Sequence, residues 1–166
     1  GCCADGFDMA PDPRNDRFGY VMHQGGALLR YDRATSTFRR VTPSHEDEAD
    51  LRFNWNAALA LDPIRLGRVW FGSQYLHVSD DDGLTWRTVS PDLTTNDPER
   101  QRQAESGGLT TDATGAENNT TIVTIAPSPV QDGVIWVGTD DGNVQLTRDG
   151  GVTWTNLIDE MSGAPA

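Results

Sequence analysis

The stretch SDDDGLTW, which runs from Ser79 to Trp86, returns in altered form as TRDGGVTW, which runs from Thr147 to Trp154. Both stretches fit the pattern S/T-x-D-x-G-x-T-W, and this self-similarity indicates a repeat architecture. The likeness extends upstream, where RVWFGSQYLHV precedes the first copy and VIWVGTDDGNVQL precedes the second. Still farther upstream, each unit has a proline corner, which ends at Pro63 in one unit and at Pro129 in the other.

A third and weaker copy of the unit begins the chain. Its corner ends at Pro13, and the segment FGYVMHQGGALLRYD then matches the glycine-containing hairpin of the other units. The segment YDRATSTF occupies the place of the eight-residue motif; it keeps an acid, Asp32, and a final aromatic residue, Phe38, but lacks the glycine. The corner proline and the final aromatic residue are 25, 23 and 25 positions apart in the three units, so the copies are equivalent.

Each unit is predicted to form a four-stranded antiparallel meander, because four short segments rich in β-branched and aromatic residues are separated by turn residues. In the second unit the first strand is predicted at Trp55 to Leu61, and the third strands of the second and third units are predicted at Leu76–Ser79 and Val144–Thr147. Repeated meanders of this kind are typical of β-propellers. We therefore predict an all-β fold, a β-propeller fragment of about three four-stranded antiparallel blades. The predicted order is blade 1 at 1–45, blade 2 at 46–91, an inter-blade loop at 92–119 and blade 3 at 120–166.

The ends of the chain and one charged stretch complete the predicted organisation. The sequence starts as GCCADGF and stops as SGAPA, which leads us to expect a piece of a longer propeller. The stretch DPERQRQAES within the inter-blade loop is predicted to form one or two helical turns.

The eight-residue motif has the composition of a tight hairpin turn. Its aspartate can accept hydrogen bonds from turn amides, and its glycine supplies positive φ at little cost. Its hydroxyl residues can tie the strand ends, and its tryptophan is expected to bury a large ring against the neighbouring blade. A calcium loop is the alternative, but it needs acids at alternate positions and a bidentate glutamate. The predicted structural residues are Ser79, Asp81, Gly83, Thr85, Trp86, Thr147, Asp149, Gly151, Thr153 and Trp154.

Charge and composition exclude several classes of partner. The 166 residues include 25 acids and only 13 bases, all of them arginine, for a net charge of −12. Binding to nucleic acid or to an anionic membrane surface requires the opposite sign, and the chain has no apolar run of the roughly 18 residues needed for membrane insertion.

The neighbouring Cys2 and Cys3 give no disulfide framework. The three histidines lack a metal-binding spacing, and we expect neither a metal nor a cofactor.

The motif is identified as an Asp-box, or BNR repeat. It resembles those of sialidases, xyloglucanase-type glycoside hydrolases, sortilin-type (Vps10) receptors and photosystem II assembly propellers. Longer strings, above all VIWVGTDDGNVQLTRDGGVTWTNL, resemble large bacterial exported propellers labelled sortilin-like or glycosyl-hydrolase-like. The segment F/Y-R-I-P, which is typical of sialidases, is missing.

The resemblance implies a secreted or periplasmic, non-catalytic scaffold that binds protein or peptide. The alternatives are part of a polysaccharide-degrading glycoside hydrolase and an assembly factor of the photosystem II type. The implied partners are a protein, a peptide or a polysaccharide, together with the remaining blades of a longer protein.

Propeller topology predicts which loops meet a ligand. Loops that join the second strand to the third share one face with the inter-blade segments, whereas the motif turns lie on the opposite face. The loops on the ligand face are His23–Ala27, Ser73–Tyr75 and Thr139–Asn143, and the segments that join them are 42–54 and 91–119. The candidate ligand-binding residues are His23, Gln24, Trp55, Tyr75, Asp140, Asp141 and Glu105.

Two chemical readings of this face remain open. Glycoside hydrolysis needs two carboxylates that flank one sugar bond, and the acids on this face are Asp140, Asp141, Glu105, Glu117, Glu46 and Glu48. A solvated acidic rim would have the same composition. Trp55, which lies between Asn54 and Asn56, is either a platform for a sugar or peptide or part of the core. His77 is expected at an exposed strand position.

Overall fold

The computed structural model describes residues 6–44, 50–102 and 118–161, which form three four-stranded antiparallel sheets. Each strand pairs with its neighbours in the sequence, so every sheet is a simple meander. We call the sheets blades 1, 2 and 3. The strands are β1 Gly6–Pro11, β2 Phe18–His23, β3 Ala27–Asp32 and β4 Thr37–Arg40 in blade 1, β5 Leu59–Leu61, β6 Val69–Gly72, β7 Leu76–Ser79 and β8 Arg87–Thr88 in blade 2, and β9 Ile122–Pro127, β10 Ile135–Thr139, β11 Val144–Thr147 and β12 Thr155–Asn156 in blade 3.

The predicted all-β fold of three four-stranded sheets is confirmed, and the largest error in the predicted strand bounds is at the first strand of blade 2. The first strand of blade 2 was predicted from Trp55, but β5 begins only at Leu59. The reason is local: the side-chain oxygen of Asn54 accepts the backbone N–H of Asn56 at 3.0 Å and holds a turn at this point. An asparagine that bonds to its own chain two residues on competes with strand formation.

Two short segments depart from the meander. A single 3-10 turn, Ile158–Glu160, follows β12 and has no counterpart in the prediction. Helical turns were predicted at residues 97–106. In the described part of this stretch the amides of Arg100 and Gln101 donate to the carbonyls of Asp97 and Pro98, as in a turn. Residues 103–106 lie outside the described part. In the ranges that the structure describes, no helix is long and apolar enough to cross a membrane.

The core lies between the blades. Alternate residues of a strand point to opposite faces of its sheet, so each blade has a trailing face toward the next blade and a leading face toward the previous one. The trailing faces of blades 1 and 2 carry Tyr20, Met22 and Leu28, and Trp70, Leu76 and Val78. The leading faces of blades 2 and 3 carry Val69 and Phe71, and Ile135 and Val137. These side chains form the two hydrophobic clusters of the molecule's described part.

The eight-residue motif fastens each blade to the one before it. The indole N–H of Trp86 donates to the carbonyl of Val41 at 2.8 Å. That of Trp154 is shared between the carbonyl of Val89, at 3.3 Å, and the carbonyl of Gly151 in its own motif, at 3.1 Å. Val41 and Val89 are equivalent residues. Each follows the last strand of its blade, and each donates its amide to a carbonyl near the start of the third strand, that of Leu28 for Val41 and that of Leu76 for Val89. The repeat therefore specifies the contact between blades as well as the blades themselves.

The glycines of the motif lie against these same valines. Gly83 has a φ of 79° and Gly151 a φ of 104°, a backbone region that side chains disfavour. A methyl group on Gly83 would come within 2.9 Å of Val41 Cβ, and one on Gly151 would overlap the Val89 carbonyl oxygen. Glycine is therefore required here for the approach of the previous blade in addition to its backbone freedom.

The two requirements can be separated with a pair of substitutions. Gly142 has a φ of 99°, close to that of Gly151, but a methyl group there would meet nothing within 4 Å. We expect Gly142→Ala to lower the free energy of unfolding by roughly 1–2 kcal/mol, the strain of a left-handed residue. Gly151→Ala should lower it by about 1–3 kcal/mol more, because of the added overlap. Urea unfolding of the two variants measures the difference, and equal losses would contradict the inter-blade role.

Candidate functional site

In the eight-residue motif each aspartate closes the hairpin turn by accepting hydrogen bonds from its own motif. Asp81 accepts hydrogen bonds from the Ser79 hydroxyl at 2.8 Å, the Thr85 amide at 2.8 Å and the Thr85 hydroxyl at 2.7 Å. Asp149 accepts the same three bonds from Thr147 and Thr153 in blade 3. The hydroxyls of Ser79 and Thr147 accept the amides of the motif glycines, at 2.8 and 2.9 Å. Across the described residues, no group of three or more acidic, cysteine or histidine side chains could hold a metal ion.

These bonds stabilise the ionised form of both carboxyl groups. The hydroxyl and the amide of Thr85 hold the pKa of Asp81 below its usual value, against a smaller opposing effect of desolvation. The corresponding groups of Thr153 lower the pKa of Asp149 to about 2. A hydrogen bond to a carboxylate favours its charged form, which is the direction seen here.

The opposite end of the blades carries the predicted ligand face, which we call the entrance face. Its described parts are the hairpins His23–Ala27, Ser73–Tyr75 and Thr139–Asn143 and the segments 50–56, 91–96 and 118–121. Asp140 accepts the amide of Thr121 at 2.9 Å, the Thr121 hydroxyl at 2.7 Å and the Asn54 side-chain amide at 3.1 Å. One carboxylate thus joins the hairpin of blade 3 to two inter-blade segments.

Asp141 performs the same task for the next segment. Its carboxylate accepts the amide of Thr95 at 2.7 Å and the Thr95 hydroxyl at 2.8 Å, and it also accepts the Thr139 hydroxyl. Nearby, the side-chain amides of Asn143 and Gln145 both donate to the carbonyl of Leu93. The beginning of the long inter-blade loop therefore packs on the Thr139–Asn143 hairpin, with the Leu93 side chain buried.

A third group of bonds that joins loops on the entrance face is centred on Gln74, and the sequence analysis did not predict it. This side chain is buried; its oxygen accepts the Arg52 amide at 2.8 Å, and its nitrogen donates to the Asp50 carbonyl at 2.9 Å. The Arg52 guanidinium then pairs with Asp92 at 2.8 Å. In the sequence, Gln74 is visible only as a glutamine at the centre of a predicted hairpin loop. Nothing in the sequence pattern indicates that it bonds to residues 22 and 24 positions away.

The aromatic candidate Trp55 lies beside blade 1. Its carbonyl accepts the Gly25 amide at 3.1 Å, and its half-buried ring contacts Phe7 edge-on, with the ring centroids 6.2 Å apart. Asn56 is exposed next to it. The structure therefore brings together Trp55, the His23–Ala27 hairpin and, through Asn54, Asp140.

The remaining candidates have varied surroundings. His23 and Gln24 are half-buried at the end of β2, and the Nδ1 atom of His23 is buried without a hydrogen-bond partner. The side-chain oxygen of Asn119 is likewise buried without a hydrogen-bond partner. Tyr75 is half-buried and meets His77 edge-on, with ring centroids 6.4 Å apart. Glu105, Glu117, Glu46 and Glu48 lie outside the described residues.

The expectation that His77 is exposed was wrong. Its side chain is completely buried, because it lies on the same face of β7 as the Phe71 position of β6, which packs against blade 1. Its Nε2 atom is 2.8 Å from the Ser73 hydroxyl, and its Nδ1 atom is 3.3 Å from the Thr88 hydroxyl. A serine beside a histidine is the pairing of a nucleophile and a base, but Ser73 is also fully buried, so this pair supports the hairpin.

Comparison with known proteins defines the fold. No protein-family model matches the chain, and no curated protein matches it. Solved structures that resemble it include YCF48 bound to D1 peptide, at a TM-score of 0.55 and 18% identity, over 93% of this chain and 40% of that one. The GH74 xyloglucanase from Xanthomonas campestris matches at a TM-score of 0.56 and 16% identity, over 90% of this chain and 21% of that one. The GH74 enzyme from Niastella koreensis matches at a TM-score of 0.52 and 22% identity, over 90% of this chain and 22% of that one.

The three sheets are therefore blades of a β-propeller. The likeness is one of fold, because every one of these identities is below the level at which a family can be assigned. The chain spans 40% or less of the length of the structures that it resembles.

The lowered pKa of Asp149 predicts how stability depends on pH. An unfolded aspartate titrates near 3.9, and the folded one near 2, so its contribution is complete above about pH 4 and is lost as the pH falls toward 2. Asp149→Asn should therefore be less stable than the wild type at pH 7, and the gap should narrow below pH 4. Urea unfolding at pH 7, 4 and 2.5 measures this.

The matched control is Asp159→Asn, which changes an exposed acid in the 3-10 turn at the end of blade 3. We expect it to leave stability nearly unchanged at all three pH values. A gap between Asp149→Asn and the wild type that is equally wide at pH 7 and pH 2.5 would contradict the assigned role of the carboxylate.

Proposed function

We propose that the chain is a non-catalytic scaffold whose entrance face binds an extended segment of a protein, as sortilin-type receptors do. The observation that carries the proposal is the use of the acids on this face. The oxygens of Asp140, Asp141 and Asp92 accept bonds from donors within the chain, so they hold loops in place. The eight-residue motif, which we infer to be an Asp-box, serves the fold at the other end.

The state of these carboxylates disfavours hydrolysis at the described part of the face. A general acid needs a free proton at neutral pH and access to the leaving oxygen, and the second carboxylate must face the same bond. Asp140 instead accepts three hydrogen bonds from Thr121 and Asn54. A carboxylate that accepts three hydrogen bonds within the chain serves as a structural acceptor. A substrate that displaced Thr121 and Asn54 from Asp140 would release the inter-blade segments to which they belong.

The same bonds favour binding. Loops that are fixed before a ligand arrives lose little conformational freedom on association, and this improves affinity. The groups that the face offers are an aromatic ring and side-chain amides, at Trp55, Asn56 and Asn96. Tryptophan is the residue most often found as a binding hot spot, and amides pair with the backbone of an extended peptide.

Two further observations bear on the class of ligand and the setting. A solved structure of similar fold has a D1 peptide bound, which is compatible with a peptide ligand, and the photosystem II assembly type is the nearest variant of this proposal. A tryptophan between two asparagines would also suit a sugar, and GH74 enzymes share the fold. We place the protein outside the cytoplasm, secreted or periplasmic, by its resemblance to exported propellers.

The proposal predicts that Trp55→Ala weakens peptide binding. The probe is a phage-displayed library of unstructured peptides, from which binders are selected with the wild-type chain and measured by fluorescence anisotropy. Loss of an aromatic anchor should weaken binding by about tenfold or more. Trp55→Phe keeps the edge contact to Phe7 and should retain most of the affinity, and a thermal melt of each variant reports on the fold.

The control is Val152→Ala, an exposed residue of the motif turn at the opposite end of blade 3, which should bind like the wild type. Xyloglucan oligosaccharides provide the competing probe. If they bind, or are cleaved, while the selected peptides bind Trp55→Ala as well as the wild type, the peptide-scaffold proposal is wrong.

A further inference from the structure

Two buried polar atoms of the entrance face have no hydrogen-bond partner. Among the described residues, four buried side-chain polar atoms lack a partner, and they belong to Tyr20, Arg30, His23 and Asn119. Tyr20 and Arg30 are directly opposite each other in the register of β2 and β3, so a hydroxyl and an N–H donor already adjoin there. The other two atoms, His23 Nδ1 and Asn119 Oδ1, both lie on the entrance face.

Both atoms belong to elements that contact the segment around Trp55. His23 begins the hairpin whose Gly25 amide donates to the Trp55 carbonyl at 3.1 Å. Asn119 follows Asn118, whose side-chain amide donates at 2.9 Å to the carbonyl two residues before Trp55. A ligand seated on the Trp55 ring therefore meets both elements.

The backbone beside Asn119 is held in an uncommon conformation. Thr120 is completely buried, and its φ of 60° places a β-branched residue in the left-handed region, which such residues rarely adopt. Two bonds hold it there: the Arg52 guanidinium donates to its carbonyl at 3.4 Å, and the Gln101 side chain donates to its hydroxyl at 3.0 Å. Backbone strain of this kind persists where the surrounding structure enforces it, and it concentrates at ligand-binding and catalytic sites.

A buried acceptor without a donor costs free energy, which a ligand that supplies the donor recovers. We propose that Asn119 Oδ1 accepts a backbone N–H of the bound protein segment, and that His23 Nδ1 makes a second hydrogen bond to the same backbone. An extended segment suits both atoms because its edge repeats N–H and carbonyl groups, and an imidazole nitrogen donates or accepts according to its tautomer. This inference rests on the proposed peptide-binding function and names the groups that recognise the peptide backbone.

Both side chains can present these atoms without a change in the backbone. The two residues are only half-buried, so each atom lies close beneath the surface. The terminal torsion of an asparagine or a histidine is broad and roughly two-fold. A half-turn about it exchanges Oδ1 with Nδ2 in Asn119, and Nδ1 with Cδ2 in His23, and so moves the buried atom to the opposite edge of its group. Side-chain changes of this size are common when proteins bind their partners.

An ester scan of a peptide selected with the wild-type chain tests the role of Asn119. Replacing one backbone amide at a time by an ester removes one N–H and keeps the extended shape. One ester position should weaken binding to the wild type by about three- to tenfold, the usual yield of one hydrogen bond, and should have little effect on binding to Asn119→Leu. The unmodified peptide should bind Asn119→Leu more weakly by the same factor, and Asn119→Asp, which keeps the oxygen, should retain most of the affinity.

Stability separates a ligand contact from a structural one. Asn119 Oδ1 has no partner to lose, so Asn119→Leu should melt no lower than the wild type; Asn119→Ala is the second variant if it fails to fold. The matched control is Asn15→Ala, in the turn between β1 and β2 at the motif end, whose side-chain oxygen accepts the Arg17 amide at 3.0 Å. This control should melt lower and bind like the wild type. His23→Phe keeps a ring without its nitrogens and should bind the peptide about three- to tenfold more weakly.

The outcomes distinguish this inference from the proposed function. If Trp55→Ala weakens peptide binding while Asn119→Leu and His23→Phe bind like the wild type, this inference is wrong and the proposed function stands. One variant that binds like the wild type removes its residue from the site, and esters that weaken binding to Asn119→Leu as much as to the wild type overturn the role of Asn119. If no peptide is selected, or Trp55→Ala binds as well as the wild type, the proposed function is wrong and this inference with it.

Discussion

The contact between a motif tryptophan and the last strand of the preceding blade is the interaction on which the rest of the structure depends. In each case an indole N–H reaches a backbone carbonyl, at Val41 or at Val89, while the motif glycine lies against the same valine. This fixes the distance and angle between two sheets that have no strand in common. Only at that distance do the large rings of one trailing face fill the next leading face, and the clusters between the blades are the core of the described molecule.

The two ends of the blades are joined by different chemistry. At the motif end, arginines cross from one blade to the next: Arg14 and Arg30 of blade 1 pair with Asp82, and Arg65 of blade 2 pairs with Asp132. At the entrance end, Asp140 and Asp141 accept neutral amides and hydroxyls, and the Arg52–Asp92 ion pair joins two inter-blade segments. Many of the 25 acids thus have a structural partner, which explains how a chain with a net charge of −12 can keep its blades together. Exposed ion pairs contribute little each, so the buried contacts still decide stability.

Much of this fold could be predicted because it is local and repeated. The motif and the spacing from its corner proline locate the middle strands, and β7 and β11 begin and end where predicted. The failures occur where a partner is distant in sequence. Thr95 bonds to a residue 46 positions away, and Asn54 to one 86 positions away, and no periodicity reports such pairs. The exposure predicted for His77 was wrong because its face of β7 packs against blade 1, a contact that the sequence pattern does not report. The hydroxyls of the buried Ser73 and the half-buried Thr88 lie within hydrogen-bond distance of its ring nitrogens.

The entrance face illustrates why acidic residues in a propeller loop are weak evidence for catalysis. An inter-blade segment must leave an outer strand and reach an inner one, and its amides need acceptors along the way. Aspartates at hairpin tips supply them, as Asp140 does for Thr121 and Asp141 does for Thr95. A carboxylate used in this way has few lone pairs left for a substrate, and moving it would free the loop it holds. The bonds that Asp140 and Asp141 make within the chain hold the loops around Trp55 in place, and the proposed binding role rests on that arrangement.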